Sequence, residues 1–122
     1  MSRWRVAVAT DVGSVRQINE DSVKVADSVV VVADGMGGHA AGEVASQMTA
    51  ETILAVFAND PTLTGLEAAF AEANRQVLAD ARDNIERRGM GTTAIALGLV
   101  RQDDTTVPVI VHVGDSRAYQ LR

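Results

Sequence analysis

"VVVVADGMGGHAAGEVAS", residues 29–46, decides how this chain is read. Four valines and an alanine run into Asp34. Gly35, Gly37, Gly38 and Gly42 then fall within eight positions, and a helical pattern follows. A β-branched run of this kind reads as a buried strand, and four consecutive valines predict cover on both of its faces. A carboxylate at the end of such a strand, beside backbone stripped of side chains, fits two chemistries. The loop could cradle a phosphate, or it could hold a hard metal ion.

Working outward, Ser22–Ala26 and Ser28–Ala33, parted by Asp27, predict a tight hairpin. Further upstream, Arg5–Thr10 alternates with Val6 and Val8 on one face, the pattern of a half-buried strand, and residues 11–21 read as a polar loop. Downstream, a helix is expected over Ala40–Ala58, with Val44, Met48, Ile53 and Phe57 near helical spacing. "ANDPTLTG" (58–65) breaks it. Thr64 with Glu67 three residues on is a capping-box pattern. It opens a second helix, from Leu66 to about Arg88, whose inner face is Leu66, Phe70, Ala73, Val77, Ala81 and Ile85. Arg87, Arg88 and Gly89 suit its C-terminus. Strands follow at Thr92–Val100, Val107–Val113 and from Ala118 onward, with "RQDDTTVP" (101–108) as the turn between the first two. Strands and helices in separate blocks predict an α+β fold, mostly antiparallel, with two long helices on one face of the sheet.

The bulk numbers set bounds. A chain of 122 residues is one small domain. At 47% hydrophobic and 22% charged it has a globular balance and not that of a disordered segment. Sixteen acidic against eleven basic residues give a net charge of −5, which argues against nucleic acid or an anionic membrane surface as main partner. No cysteine is present, so disulfides, thiolate catalysis and zinc–sulfur sites are excluded. A reducing cytoplasm is compatible with that absence, and a cytoplasmic location is the expectation. The first ten residues, "MSRWRVAVAT", lack the apolar core of a secretory signal. No stretch approaches the ~20 apolar residues of a membrane span.

"GMGGHA" (35–40) matches the G-x-G-x-x-A pattern of a dinucleotide loop, after a strand and before a helix. Three features weigh against it. The charge of Asp34 would oppose a pyrophosphate. A second helix follows where a strand ending in an acid is needed. No Gly-Lys-Ser/Thr supplies a P-loop. The metal reading uses the same residues better. Mg²⁺ and Mn²⁺ take oxygen ligands from carboxylates, carbonyls and water. Asp34 offers a carboxylate, Gly35 an accessible carbonyl, and Glu20, Asp21 and Asp115 are further acids at expected strand ends. A lone Asp beside Gly is more often a turn residue, and Asp27, Asp103 and Asp104 are read so. The coincidence of several acids with a glycine-rich loop shifts the balance.

"TDVGSVRQINED" (10–21), "VVVADGMGGHAAGEVAS" (30–46), "GMGTTA" (89–94) and "VHVGDSRAYQLR" (111–122) resemble the bacterial metal-dependent protein phosphatases, the protein phosphatase 2C family. The four motifs occur in order along the whole chain. The resemblance implies a central β-sandwich flanked by helices, a four-layer α-β-β-α arrangement of which this chain carries the N-terminal half. It implies hydrolysis of phosphoserine and phosphothreonine on proteins, with two Mn²⁺ or Mg²⁺ ions and a hydroxide bridging them as nucleophile. Carried over by position, Asp34 bridges the metals and Gly35 offers its carbonyl. Glu20 binds one metal, directly or through water, Asp21 supports the cluster from behind, and Asp115 matches the aspartate of a third, weaker site. Arg16 matches the arginine that grips substrate phosphate, a task suited to a bidentate guanidinium. Met36 stands where many eukaryotic relatives carry a histidine proposed as general acid, so no catalytic acid is assigned.

Other residues take plainer roles. His39 and Glu43, four apart, could share a helix face as ligands; capping or support of the site is the expected role. His112 is expected to be a packed or surface histidine. Gly91, Thr92 and Thr93 are expected to shape the strand entry near the site, and Trp4 and Tyr119 to pack. The departure from the family is one of length. Its catalytic domain is about twice as long, and the later "SDG"-like and "DN"-like aspartates have no counterpart after Asp115. The expectation is therefore a partial catalytic domain over 1–122, under-ligated by itself, with phosphorylated proteins as partners. Apolar faces and unpaired edges would be prone to self-association. The alternative is a fragment that binds a phosphoprotein or regulator without turnover; a nucleotide-binding domain ranks third.

Overall fold

The computed structural model describes residues 20–38, 40–114 and 118. The strands expected at Arg5–Thr10 and beyond Ala118 lie outside them. β1 (Asp21–Val25) and β2 (Val29–Met36) form the expected hairpin, in register from Asp21↔Asp34 to Val25↔Val30. The Ala26 N–H donates to the Val29 carbonyl at 2.8 Å and closes the turn. On its other side β2 pairs with β4 (Ala94–Gln102), from Val29↔Gly98 to Val32↔Ile95. β4 pairs along its whole length with β5 (Thr105–Val113). Short β3 (Gly91–Thr92) extends along the end of β2 at Gly35↔Thr92 and Met36↔Gly91. The sheet order is β1-β2-β4-β5, antiparallel throughout.

Two expectations about strands change. β2 runs through Asp34 and Gly35 to Met36, past its expected end at Ala33, because β1 and β3 both offer it partners there. The turn read over 101–108 contracts to Asp103–Asp104, with Asp103 at φ 55°, a left-handed value that aspartate tolerates better than most residues. Thr105 Oγ1 donates to the Gln102 carbonyl at 2.9 Å across it.

The helices are α1 (Ala41–Asn59) and α2 (Leu63–Asp83), and both lie on one side of the sheet. Val29, Val31 and Ala33 face them and are buried. Phe57, Ile53 and Leu66 are fully buried between helices and sheet, each worth ~2–3 kcal/mol of burial. Gly98 makes this packing feasible: a Cβ there would stand 3.2 Å from Phe57 Cζ and 3.5 Å from Leu66 Cδ2. Among the described residues the valine run is covered on one face only, against the expectation of cover on both. Val30 is half-buried and Val32 is 38% exposed. They share the opposite face with Val25 and Ile110, also exposed, and no described helix packs there.

The ends of α2 also differ from the sequence pattern. Thr62, not Thr64, is the N-cap; its Oγ1 accepts from the Gly65 N–H at 3.1 Å, while Thr64 sits exposed inside the first turn. The helix stops at Asp83, and Ile85–Arg87 forms a single 3₁₀ turn that leaves Ile85 77% exposed. Asn84 ends it in an extended conformation, donating its side-chain amide to Asp80 at 3.1 and 3.2 Å, and Arg87 closes onto Asp80 at 2.9 Å. Gly89 does take a left-handed φ of 81°, but after that turn. Between the helices, Thr52 Oγ1 donates to Gln76 Oε1 at 2.9 Å, and Gln76 donates on to Glu72 at 2.8 Å. No described helix is long and apolar enough to cross a membrane.

Candidate functional site

The open end of the β1–β2 hairpin gathers four of the six residues expected at the site. Asp21 and Asp34 are direct cross-strand partners, so both side chains leave the same face of the sheet, the one without helices. Asp21 is exposed and Asp34 is half-buried. Two like charges opposite one another repel, and paired carboxylates on one face are the kind of oxygen donors that a hard cation takes.

Glu20 stands one residue before β1 and therefore points to the other side, toward α1. Its backbone is held by the Gly35 N–H, which donates to the Glu20 carbonyl at 3.1 Å. Its carboxylate lies against the first turn of α1: a Cβ placed on Gly42 would overlap Glu20 Oε2 and stand 2.7 Å from the Met36 amide nitrogen. A Cβ on Gly35 would overlap the Gly42 carbonyl oxygen and lie 2.9 Å from the Glu20 carbonyl oxygen. Gly35 and Gly42 thus interlock the end of β2 with the start of α1, and Glu20 fills the space that their missing side chains leave. Glycine inside a helix lowers its stability by ~1 kcal/mol, and close backbone approach is the reason for it here. That mid-pattern glycine was the available signal for Gly42, which the sequence reading did not single out.

Glu20 Oε2 is buried and has no hydrogen-bond partner. A carboxylate oxygen in that state is what a hard cation, or the water such a cation carries, satisfies. The oxygen-only donor set of Glu20, Asp21, Asp34 and the Gly35 carbonyl fits Mg²⁺ or Mn²⁺ and does not suit a thiophilic metal. Among the described residues no group of three or more ligating side chains converges on one point. The carboxylate of Glu20 is on the helix side and those of Asp21 and Asp34 on the open side. Arg16 and Asp115 lie outside the described residues, as does His39.

Asp34 is held by a strand distant in sequence. The Thr93 N–H donates to the Asp34 carbonyl at 2.9 Å, and the Asp34 N–H donates to Thr93 Oγ1 at 3.3 Å. Thr93 is buried. The sequence reading placed Gly91, Thr92 and Thr93 near the site but could not see this clamp, which arises only when β4 docks on β2. α1 begins unconventionally: Ala40 is left-handed at φ 61°, provides no side-chain cap, and the Ala41 N–H donates to the Gly38 carbonyl at 3.0 Å. The glycine loop itself caps the helix. Glu43, in that first turn, suits the helix dipole and accepts from Gln47 Nε2 at 3.3 Å. Met36 and His112 are exposed.

Residues 13–122 match the family model for protein phosphatase 2C. The serine/threonine protein phosphatase PstP of Mycobacterium tuberculosis is 40% identical over 121 residues, covering 97% of this chain and 23% of that protein. Among solved structures, the PPM Ser-Thr phosphatase MsPP of Mycobacterium smegmatis, in complex with cacodylate, superposes with a TM-score of 0.81 at 34% identity. The match covers 95% of this chain and 48% of that one. The catalytic domain of PstP in complex with two manganese ions gives a TM-score of 0.74 at 39% identity, covering 86% and 45%. This chain spans about half the length of those solved domains. With the hairpin-end acids, the glycine interlock and a family match along most of its length, the chain belongs to the protein phosphatase 2C family.

Proposed function

We propose that this chain contributes the hairpin-end portion of a divalent-metal site that hydrolyses phosphoserine and phosphothreonine on proteins. The observation that carries the proposal is the buried, unpartnered Glu20 Oε2 locked behind Gly35 and Gly42, one residue from the Asp21–Asp34 pair. Relatives that are serine/threonine protein phosphatases, one of them bound to two manganese ions, support it. Asp34 and the Gly35 carbonyl would hold metal from the rigid end of β2. Glu20 would bind from the helix side, directly or through water, and Asp21 would add negative charge beside Asp34. Mn²⁺ or Mg²⁺ bound there supplies a lowered water pKa and positive charge at the phosphoryl oxygens. Arg16 would orient the phosphate by paired hydrogen bonds, and Asp115 would serve a third, weaker site. Residues 1–122 are read as part of one catalytic domain.

The test is hydrolysis of p-nitrophenyl phosphate by the 122-residue chain with and without Mn²⁺, beside Asp34→Ala. Mn²⁺-dependent turnover that disappears in Asp34→Ala is expected if the chain holds a working site. A folded chain with no turnover, but with retained binding to a phosphopeptide, would favour the second reading, a non-catalytic phosphoprotein-binding fragment. That reading draws on the absence of a three-acid cluster among the described residues.

A further inference from the structure

Three contacts converge on the backbone of Asp34 from one residue. The Thr93 N–H donates to the Asp34 carbonyl at 2.9 Å. The Thr93 hydroxyl accepts from the Asp34 N–H at 3.3 Å and lies 3.5 Å from the Asp34 carbonyl oxygen, to which it can donate. A hydroxyl has one proton to give and lone pairs to receive, and the shorter of its two approaches to Asp34 is the one in which it accepts from the backbone N–H. The partners are 59 positions apart. On either side the strands keep one register, Val32↔Ile95 before and Gly35↔Thr92 after. At Asp34, however, a side-chain hydroxyl takes part in the ladder. The Thr93 carbonyl meanwhile accepts from Thr92 Oγ1 at 2.7 Å.

The other face of the same side chain is also used. Gly114, at φ 96°, turns directly against Thr93: a Cβ there would lie 2.6 Å from Thr93 Cγ2 and 2.8 Å from Thr93 Cβ. Thr93 is 8% exposed, so neither contact is a surface accident. Its hydroxyl side faces the Asp34 peptide and its methyl side bears the turn that directly precedes Asp115 in the sequence. Serine would keep the first contact and lose the second; valine would keep the second and lose the first.

We infer that Thr93 is a positioning residue for the metal site: its hydroxyl fixes the peptide from which the Asp34 carboxylate projects, and thereby sets the affinity of that end of β2 for a divalent cation. The inference rests on the reading of Asp34 as a metal ligand. It adds a residue that contributes no ligand atom of its own. Loss of the hydroxyl leaves the half-buried Asp34 N–H without that acceptor and frees the strand end to shift, while the fold keeps its core.

The experiment is Mn²⁺ titration of the 122-residue chain, followed by the electron paramagnetic resonance of free Mn²⁺, for the unaltered chain, Thr93→Val, Thr93→Ser and Asp34→Asn. Thermal melts of the metal-free forms are run beside it. A lost hydrogen bond of this kind corresponds to roughly tenfold in an equilibrium constant. Thr93→Val is expected to weaken Mn²⁺ binding about tenfold, and Thr93→Ser to stay within about twofold of the unaltered chain. In the metal-free chain, exchange of the Asp34 amide proton should speed up in Thr93→Val and not in Thr93→Ser, while β4–β5 amides stay unchanged. Thr93→Val with a lower melting temperature but unaltered Mn²⁺ affinity overturns the inference and leaves a purely structural threonine. Equal Mn²⁺ binding by the unaltered chain and Asp34→Asn, or none by either, overturns the metal reading itself, and the inference with it.

Discussion

Gly35, near the end of β2, and Gly38, in the loop that follows it, stand three residues apart, and the structure assigns them opposite tolerance. A Cβ on Gly35 would overlap the Gly42 carbonyl oxygen and stand 2.9 Å from the Glu20 carbonyl oxygen. Both obstacles are backbone, so no rotamer change relieves them. Room can be made only by lifting the first turn of α1 off β2 or by bending the end of β2. The second route breaks the Gly35 N–H bond to Glu20 at 3.1 Å and the Gly35↔Thr92 pairing. Overpacking of this sort costs about 1–3 kcal/mol, and two displaced backbone hydrogen bonds add about 1 kcal/mol each. Gly35→Ala should therefore lose about 3–5 kcal/mol. At roughly 4 °C per kcal/mol for a chain of this size, the melting temperature falls by about 12–20 °C. Gly38→Ala is the control, since among the described residues an added Cβ there meets nothing within 4 Å; it should stay within about 0.5 kcal/mol of the unaltered chain. Urea denaturation followed by far-ultraviolet circular dichroism measures both. Equal stability of the two variants would refute the interlock, because close approach of the Gly42 and Glu20 backbone is what sets Gly35 apart from Gly38.

Two other predictions concern the frame around the site. Phe57→Ala empties the pocket formed with Gly98 and Leu66 and should cost about 3–5 kcal/mol with an unchanged denaturant slope; a loss under about 1 kcal/mol would show that the ring is not the centre of the core. Hydrogen bonds from Arg75, and then from Gln76, hold the Glu72 carboxylate down at about 2, from an ordinary 4.5. A depressed carboxylate adds stability above its unfolded pKa and loses it as pH falls through the folded one, so this contribution should fade between about pH 4.5 and pH 2. Glu72 is solvent-facing and salt screens the pair, so the effect belongs in a carboxyl carbon NMR titration. The Glu72 midpoint should rise toward the ordinary value in Arg75→Met, and an ordinary midpoint in the unaltered chain would contradict the geometry.

Much of the fold was legible because local rules and tertiary packing agree in it. The hairpin about Asp27, the helix beginning near Ala40 and the α+β order follow from periodicity and turn residues, which act over a few positions. The acids at strand ends and the glycine loop were legible as chemistry, since hard cations need oxygen donors whatever the fold. Where the reading missed, a competing contact decided. Thr64 carries the cap signature, yet Thr62 caps α2, because Gly65 sits against the Asp60 carbonyl and starts the helix earlier. Ile85 keeps the apolar spacing, but Asn84 and Arg87 close onto Asp80 and end the helix before it.

The sequence by itself determined the element types, the family and which residue kinds could bind a metal, because these depend on short-range pattern and on donor chemistry. Only the tertiary structure decided which face of the valine strand is covered, that Glu20 turns toward α1 while Asp21 and Asp34 turn away, and that Thr93 grips Asp34 across 59 residues. Those are facts of register and close approach, and a one-residue slip in pairing would reverse every one of them.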